Sequence, residues 1–215
     1  MTSPFRDVVA RLEHALREPL PGAAAHALMA PRPRYQWPPG FPAERVRHAG
    51  GLLLVVPIDD QPHLVLTVRA HTLDRHGGQV SLPGGVIEPG ETPEQAALRE
   101  AQEEVGLAIT GARSLGALTP IDIPISGFRL HPVVAVAETH PLLRPSDGEV
   151  ARIIEPHVAN LMDPGTVAWR TLKREEQTLD FPAFLSDAVE IWGATAMVLA
   201  EFLVLLGWRG PARDP

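Results

Sequence analysis

Residues 84–107 read GGVIEPGETPEQAALREAQEEVGL, and this stretch carries the start and stop signals of one helix. Thr92 stands three residues before Gln95, the arrangement of a capping box, and Pro93 suits the first helical position. Gly106 is a suitable stop because glycine readily adopts the left-handed conformation found just past helix ends. The stretch therefore predicts a helix of about a dozen residues between these signals.

The predicted helix has an apolar face and an acidic face. At about 100° per residue, three apolar residues share the face that must be buried: Leu98, Ala101 and Val105. Three carboxylates cluster within one turn of the opposite face: Glu100, Glu103 and Glu104. Arg99 lies one turn before Glu103, close enough to pair with it, and hard divalent ions such as Mg²⁺ take carboxylate oxygens. Glutamate-rich faces are more often solvated, so the cluster alone leaves both interpretations open.

Seven residues of this stretch match a longer pattern, Gly-x5-Glu-x7-Arg-Glu-U-x-Glu-Glu-x-Gly-U, in which U is a bulky aliphatic residue. They are Gly85, Glu91, Arg99, Glu100, Glu103, Glu104 and Gly106. Leu107 suits the second U position, whereas Ala101 is small for the first. If each residue type has a frequency of about 7%, a match at seven fixed positions arises by chance on the order of once in 10⁸ positions. The chain resembles a Nudix hydrolase, which implies an α/β/α sandwich with a mixed sheet.

The resemblance implies hydrolysis of a nucleoside diphosphate linked to another moiety, with Mg²⁺ or Mn²⁺ as the cofactor. Four residues would supply oxygen ligands to the ion: Gly84, through its carbonyl, Glu100, Glu103 and Glu104. Arg99 would orient a glutamate, and we assign it to catalysis together with Glu103 because a carboxylate takes the proton of the attacking water. Glu91 would brace the loop against the helix, while Gly85 and Gly106 are structural members of the motif.

Upstream, residues 66–85 read LTVRAHTLDRHGGQVSLPGG and resemble the signature of the coenzyme A pyrophosphatase branch of this family. The residues that match without a gap are Thr67, Arg69, Ala70, Gly78, Pro83, Gly84 and Gly85. Asp74 stands where the signature has its second arginine, with Arg75 one place late, and Leu82 replaces a phenylalanine. The resemblance implies four substrate-binding residues: Arg69, Arg75, His76 and Gln79. Outside this context, Arg69, Arg75 and His76 would be ordinary loop charges.

The substrate favoured by this resemblance is coenzyme A or an acyl derivative, cleaved to 3′,5′-ADP and the phosphopantetheine portion. Asp74 reverses a charge beside a polyanionic substrate, which keeps ADP-ribose, NADH or a related dinucleotide open. A catalytically silent Nudix-fold binding module is the third alternative, and the intact carboxylate set argues against it. Glu149 is a candidate general base or extra metal ligand, with a solvated loop carboxylate as an equal alternative.

The rest of the chain predicts a mixed α/β fold, because strands and helices interleave without a regular βαβ rhythm. We expect residues 1–47 to be an extension, comprising an amphipathic helix and a proline-rich connector, and residues 48–215 to be the Nudix domain. The predicted helices are 4–17, 93–105 and 187–207. The predicted strands are 52–58, 63–69, 113–118, 129–137, 150–155 and 178–181.

Composition excludes several classes of protein. The 215-residue chain has a net charge of −7, so we expect no nucleic-acid partner. It has no cysteine, which excludes disulfides and thiolate catalysis and fits a cytoplasmic location. The apolar run 188–208 is interrupted by Glu190 and Glu201, so we expect a buried helix and no membrane association. That helix could pack on its own sheet or on a second copy, which leaves a homodimer open.

Overall fold

The structure is a computed structural model that describes residues 3–70, 78–146, 148–174 and 177–212. Within these ranges the helices are α1 (Pro4–Ala15), α2 (Ala23–Ala27), α3 (Pro93–Val105), α4 (Val158–Met162) and α5 (Gly193–Leu205). The strands are β1 (Arg47–Ile58), β2 (Gln61–Arg69), β3 (Val80–Ser81), β4 (Gly84–Val86), β5 (Arg113–Ala117), β6 (Ile121–Ile123), β7 (Phe128–Val136), β8 (Val150–Ile154), β9 (Val167–Arg174), β10 (Gln177–Ser186) and β11 (Val189–Ile191).

A mixed sheet forms the centre of the fold. β1 pairs antiparallel with β2 and parallel with β7, and the continuous path runs β3-β2-β1-β7-β5. β4 adds to β1, β6 adds to β7, and β8 pairs antiparallel with residues 66–69 of β2. β9, β10 and β11 form a second, antiparallel sheet in the order β11-β10-β9. The predicted mixed α/β class is confirmed.

Helices cover both faces of the central sheet because β1 and β7 are buried on both sides. Leu52 and Leu54 of β1 pack with Ala97 and Ala101 of α3 on one face. The alternate residues of β1 pack on the opposite face with α1 and α5, as strand periodicity requires. The result is a layered α/β/α arrangement in which α3 is held against the sheet over its whole apolar stripe.

The C-terminal part of the chain differs from the prediction. The helix expected over 187–207 begins at Gly193, because residues 189–191 form β11. Asp187 and Ala188 have φ values of 50° and 57° and form a tight turn between β10 and β11. The sequence did not indicate this turn because neither residue is glycine. The strand predicted at 178–181 continues through Pro182 to Ser186, and β6, β9 and α4 were not predicted.

The N-terminal residues pack on the rest of the molecule. Phe5, Val9 and Leu12 of α1 are buried in the same core as α5. In the proline-rich segment, Trp37 stacks on Phe41 with 4.7 Å between ring centroids, and α2 forms a short helix that contacts α5. No helix in the described ranges combines the length and hydropathy needed to cross a membrane. The division of the chain near residue 47 stays a prediction.

Candidate active site

Two glycines at the start of the acidic motif, both in β4, allow this strand to lie close to β1 and to helix α3. Gly84 of β4 lies opposite Gly51 of β1, and a Cβ at Gly84 would collide with the Gly50 carbonyl oxygen. A Cβ at Gly85 would collide with the Glu100 carboxylate. The position of Glu100 against β4 therefore requires that residue 85 have no side chain.

The local signals place α3 as predicted. The Thr92 hydroxyl accepts a hydrogen bond from the Gln95 N–H at 3.2 Å, and the Gln95 side-chain oxygen accepts one from the Thr92 N–H at 2.8 Å. Gly106 ends the helix with φ at 70°. The capping box and the glycine stop are confirmed, and they hold the carboxylates at fixed positions relative to β4.

Arg99 joins the loop after β4 to the acidic face of α3. Its guanidinium donates to both Glu91 oxygens, at 2.8 and 3.1 Å, and to the Val86 carbonyl at 3.0 Å. It also donates to Glu100 at 2.7 Å, while Glu103 is 3.7 Å away. Spacing alone predicted the Glu103 contact, but the shorter ion pairs are to Glu91 and Glu100. These hydrogen bonds lower the pKa of Glu91 and raise that of Arg99.

The periodicity of α3 places Glu104 on the face opposite the buried one, and this prediction is wrong. The residue is 5% exposed, and its carboxylate accepts a hydrogen bond of 3.1 Å from the Gly84 N–H. Glu104 follows Ala97 by seven residues, so both project from nearly the same side of the helix. Since Ala97 belongs to the apolar stripe, this spacing was the signal that could have indicated burial.

Three charged groups act electrostatically on Glu104: Glu100 of the same helix, Glu149 and Arg69. Burial raises the pKa of Glu104 to about 7, and the negative charges of Glu100 and Glu149 add to this effect. The Gly84 hydrogen bond and the positive charge of Arg69 act in the opposite direction. The structure thus brings Arg69, at the end of β2, and Glu149, just before β8, towards the acidic face of α3.

Glu103 and Glu149 are the accessible carboxylates of this group. The Glu103 side chain is 60% exposed. Glu149 is exposed, and its carbonyl oxygen accepts a hydrogen bond of 2.9 Å from the Ala70 N–H, which fixes the backbone beside Arg69. Gly148 precedes it with φ at 90°, a conformation that favours glycine. Both carboxylates are therefore accessible to a ligand that binds from solvent.

The predicted substrate residues divide into two groups. Arg69 and Gln79 come together across the ends of β2 and β3, where the Arg69 N–H donates to the Gln79 carbonyl at 3.0 Å. Both side chains are half-buried. Arg75 and His76 lie outside the described residues, as does Asp74. The assignment of Arg75 and His76 to substrate binding stays a prediction.

The residues around Glu104 fit a hard divalent cation by the chemistry of their donors. All four predicted ligands offer oxygen, from the Gly84 carbonyl and three glutamates, and the nearby Glu149 adds a further carboxylate. Among the described residues, no three acidic or histidine side chains converge as a ready ligand shell. Glu103, being exposed, has the freedom to turn towards such an ion, whereas Glu100 and Glu104 are held by Arg99 and Gly84.

Replacing Gly85 with alanine is expected to lower the hydrolytic turnover number about 100-fold. The added methyl group must displace the Glu100 carboxylate. A shift of about 1 Å in a catalytic group has an effect of this size. Steady-state turnover and thermal melting of both proteins would test this. Gly111→Ala is the matched control, since its Cβ would meet only Ala108 Cβ, at 3.8 Å. Unchanged turnover in Gly85→Ala would contradict the assigned position of Glu100.

The family model described as the NUDIX domain matches residues 48–175. The chain belongs to the Nudix hydrolase family. Its match includes the whole acidic motif, Arg69 and Gln79, and Glu149, so every element that meets at Glu104 lies within the Nudix domain.

Relatives and solved structures agree with this placement. The Nudix hydrolases NudL of Salmonella paratyphi B and Salmonella newport, both described as uncharacterized, are each 32% identical to this chain over 157 residues. These matches cover 73% of this chain and 81% of each relative. The crystal structure of the Nudix hydrolase RenU from M. smegmatis superposes with a TM-score of 0.54 at 20% identity, covering 79% of this chain and 91% of that one. This similarity confirms the fold of the Nudix domain.

Proposed function

We propose that this Nudix hydrolase cleaves the diphosphate of coenzyme A or an acyl-coenzyme A, in the presence of Mg²⁺ or Mn²⁺, to give 3′,5′-ADP and the phosphopantetheine portion. The observation that carries the metal-dependent hydrolysis is the Arg99 network, which holds Glu91 and Glu100 in place, while the same helix carries the buried Glu104 and the accessible Glu103. A bound cation would offset the charge of these neighbouring carboxylates, and their oxygen atoms favour a hard divalent ion.

Each residue has a part in the proposed reaction. Glu100, Glu103, Glu104 and the Gly84 carbonyl would hold the ion, which when bound neutralises the diphosphate and lowers the pKa of water. The oxygen of the attacking water forms a bond to one phosphorus atom, and the bridging P–O bond breaks. Glu103 or Glu149 accepts the proton of the water, and the leaving phosphate departs as an anion. Arg99 keeps Glu100 in place throughout, because its guanidinium is paired on two sides.

The choice of substrate depends on the segment that contains Arg69. Arg69 is a half-buried cation at the edge of the acidic site, and its position suits a contact with a phosphate group of the substrate. The upstream resemblance to the coenzyme A branch supports coenzyme A. Asp74, which departs from that signature, favours ADP-ribose or NADH as the alternative substrate.

A product-resolved assay with Mg²⁺ or Mn²⁺ tests the proposal, with coenzyme A, ADP-ribose and NADH offered side by side. Release of 3′,5′-ADP from coenzyme A at a much higher rate than products from the other two compounds would support it. Cleavage of ADP-ribose or NADH with coenzyme A untouched would move the substrate to a dinucleotide. Stabilisation by the metal ion without turnover of any compound would indicate a silent binding module.

Replacing Arg69 with glutamine is expected to raise the KM for coenzyme A at least tenfold, if Arg69 contacts the 3′-phosphate, since a charge-assisted hydrogen bond contributes roughly 1.5–3 kcal/mol. Dephospho-coenzyme A differs from coenzyme A only in lacking that phosphate, so its KM should change little. Steady-state kinetics on both substrates make the comparison. An equal rise in both KM values would reject this role for Arg69.

A further inference from the structure

An open groove of about 450 Å³ lies along the outer edge of β8. One wall is the β8 segment with Ala151 and Ile153, and the other is the loop that contains Leu142 and Leu143. Leu142 is 79% exposed, which is the highest value for a large hydrophobic residue in the described ranges. The volume lies within the range of small-molecule sites, which is about 300–1,000 Å³.

The groove adjoins the candidate active site through the chain itself. Ala151 directly follows Val150, which pairs with Arg69 across β8 and β2, so the groove begins one residue from that pair. At the other wall, Pro145 of the groove precedes Ser146, whose N–H donates to the Glu104 carbonyl at 2.8 Å. The groove therefore begins beside Arg69 and Glu149 and extends away from them along β8.

The lining combines apolar carbon with a few polar groups. Six of the nine lining residues are apolar: Pro141, Leu142, Leu143, Pro145, Ala151 and Ile153. The polar remainder comprises Arg152, which donates to the Asp187 carbonyl at 3.0 Å, and the His140–Glu155 ion pair, at 2.7 Å. The apolar majority of this surface suits a flexible chain of methyl and methylene groups interrupted by amides better than it suits a sugar.

We propose that this groove binds the pantetheine arm of the substrate, the non-nucleotide side of the diphosphate. The inference rests on the proposed function, because it takes coenzyme A as the substrate. The gem-dimethyl and methylene groups of the arm would cover Leu142, Leu143 and Ile153, and its amides would face Arg152 and the His140–Glu155 pair. The groove then distinguishes coenzyme A from diphosphates whose second arm is a polar sugar.

The test uses product inhibition of coenzyme A hydrolysis by the full chain. The two products, 4′-phosphopantetheine and 3′,5′-ADP, report separately on the two sides of the diphosphate. In Leu142→Asp the inhibition constant of 4′-phosphopantetheine should rise about tenfold, since a charge replaces an apolar contact, while that of 3′,5′-ADP should change less than about twofold. Ile109→Asp is the matched control, because Ile109 is an exposed apolar residue, 46% exposed, outside the groove. It should leave both constants unchanged.

The outcomes separate the two proposals. If the unmodified protein hydrolyses coenzyme A but Leu142→Asp changes neither constant, or changes both equally, the groove assignment is overturned and the proposed function stands. If Ile109→Asp reproduces the effect, the change is a general consequence of added charge, which also overturns the groove assignment. If the unmodified protein does not hydrolyse coenzyme A, both proposals fail. Thermal melting confirms that each variant is folded, as expected for two exposed positions.

Discussion

Turnover of coenzyme A should fall about 10³-fold when Glu103 is replaced with glutamine, while the melting temperature stays within about 2 °C. The amide keeps the shape of the side chain, but it cannot accept the proton of water and is a weaker ligand for a divalent cation. The side chain is 60% exposed, and its contact with Arg99 is long, at 3.7 Å, so loss of its charge removes little stabilising interaction. Steady-state kinetics with a thermal melt measure both quantities.

A second glutamate of the same helix provides the control. Glu94 is exposed in the first turn of α3, and Glu94→Gln changes the charge of the helix by the same amount. Turnover in Glu94→Gln should equal that of the unmodified protein. If Glu103→Gln also retains its turnover, then Glu103 neither holds the ion nor accepts a proton, and the assignment of the acidic face fails. If turnover and melting temperature both fall in Glu103→Gln, the residue has a structural role instead.

The helix that carries Glu103 could be predicted from sequence because its signals are local. Thr92, Gln95 and Gly106 each act on the backbone within a few residues, so the bounds of α3 follow from chemistry that is independent of the rest of the fold. The partners of Arg99 did not follow in the same way, since spacing indicated Glu103 but the short ion pairs are to Glu91 and Glu100. The family motif adds specificity, since it joins this helix to the glycines of β4.

The surroundings of Glu104 could not be predicted as readily, because they depend on tertiary contacts. Its burial results from the close approach of β4 to β1, which places the Gly84 N–H at the Glu104 carboxylate. The periodicity of α3 divided the helix into apolar and acidic faces and placed Glu104 on the wrong one. Strand β11 was not predicted because the turn that precedes it, at Asp187 and Ala188, has positive φ at two residues that are not glycine.

The hydrogen-bond partners of Glu201, in the C-terminal helix α5, could not be predicted from sequence either. Glu201 was noted only as an interruption of the apolar run, and nothing near it in sequence provides a counterpart. In the structure its carboxylate is fully buried and accepts hydrogen bonds from the N–H groups of Gly22 and Thr119, both at 3.0 Å, and from the Thr119 hydroxyl at 2.7 Å. His26 Nε2 lies 2.9 Å away. One side chain of α5 thus joins the proline-rich segment to the loop after β5.

Replacing Glu201 with alanine is therefore expected to destabilise the protein by about 3–5 kcal/mol, because it leaves buried donors on Gly22, His26 and Thr119 without an acceptor. For a chain of this size, that corresponds to a fall of roughly 6–20 °C in melting temperature. The control is Glu190→Ala, which breaks the exposed Arg170–Glu190 ion pair and should cost less than about 1 kcal/mol. Equal melting temperatures for the two variants would contradict the importance of the buried cluster.

Acid provides an independent check on the same residue. Burial raises the pKa of Glu201, but the hydrogen bonds from His26 and Thr119 outweigh this effect, so the pKa lies below its ordinary value of 4.5. A carboxyl group whose pKa is lowered by folding stabilises the protein above its unfolded value and loses that contribution as the pH falls through the folded value. The melting-temperature difference between the unmodified protein and Glu201→Ala should therefore be full at neutral pH and narrow once the pH falls below about 4.5. A difference that stays constant down to acid unfolding would show that Glu201 acts through packing rather than through its charge.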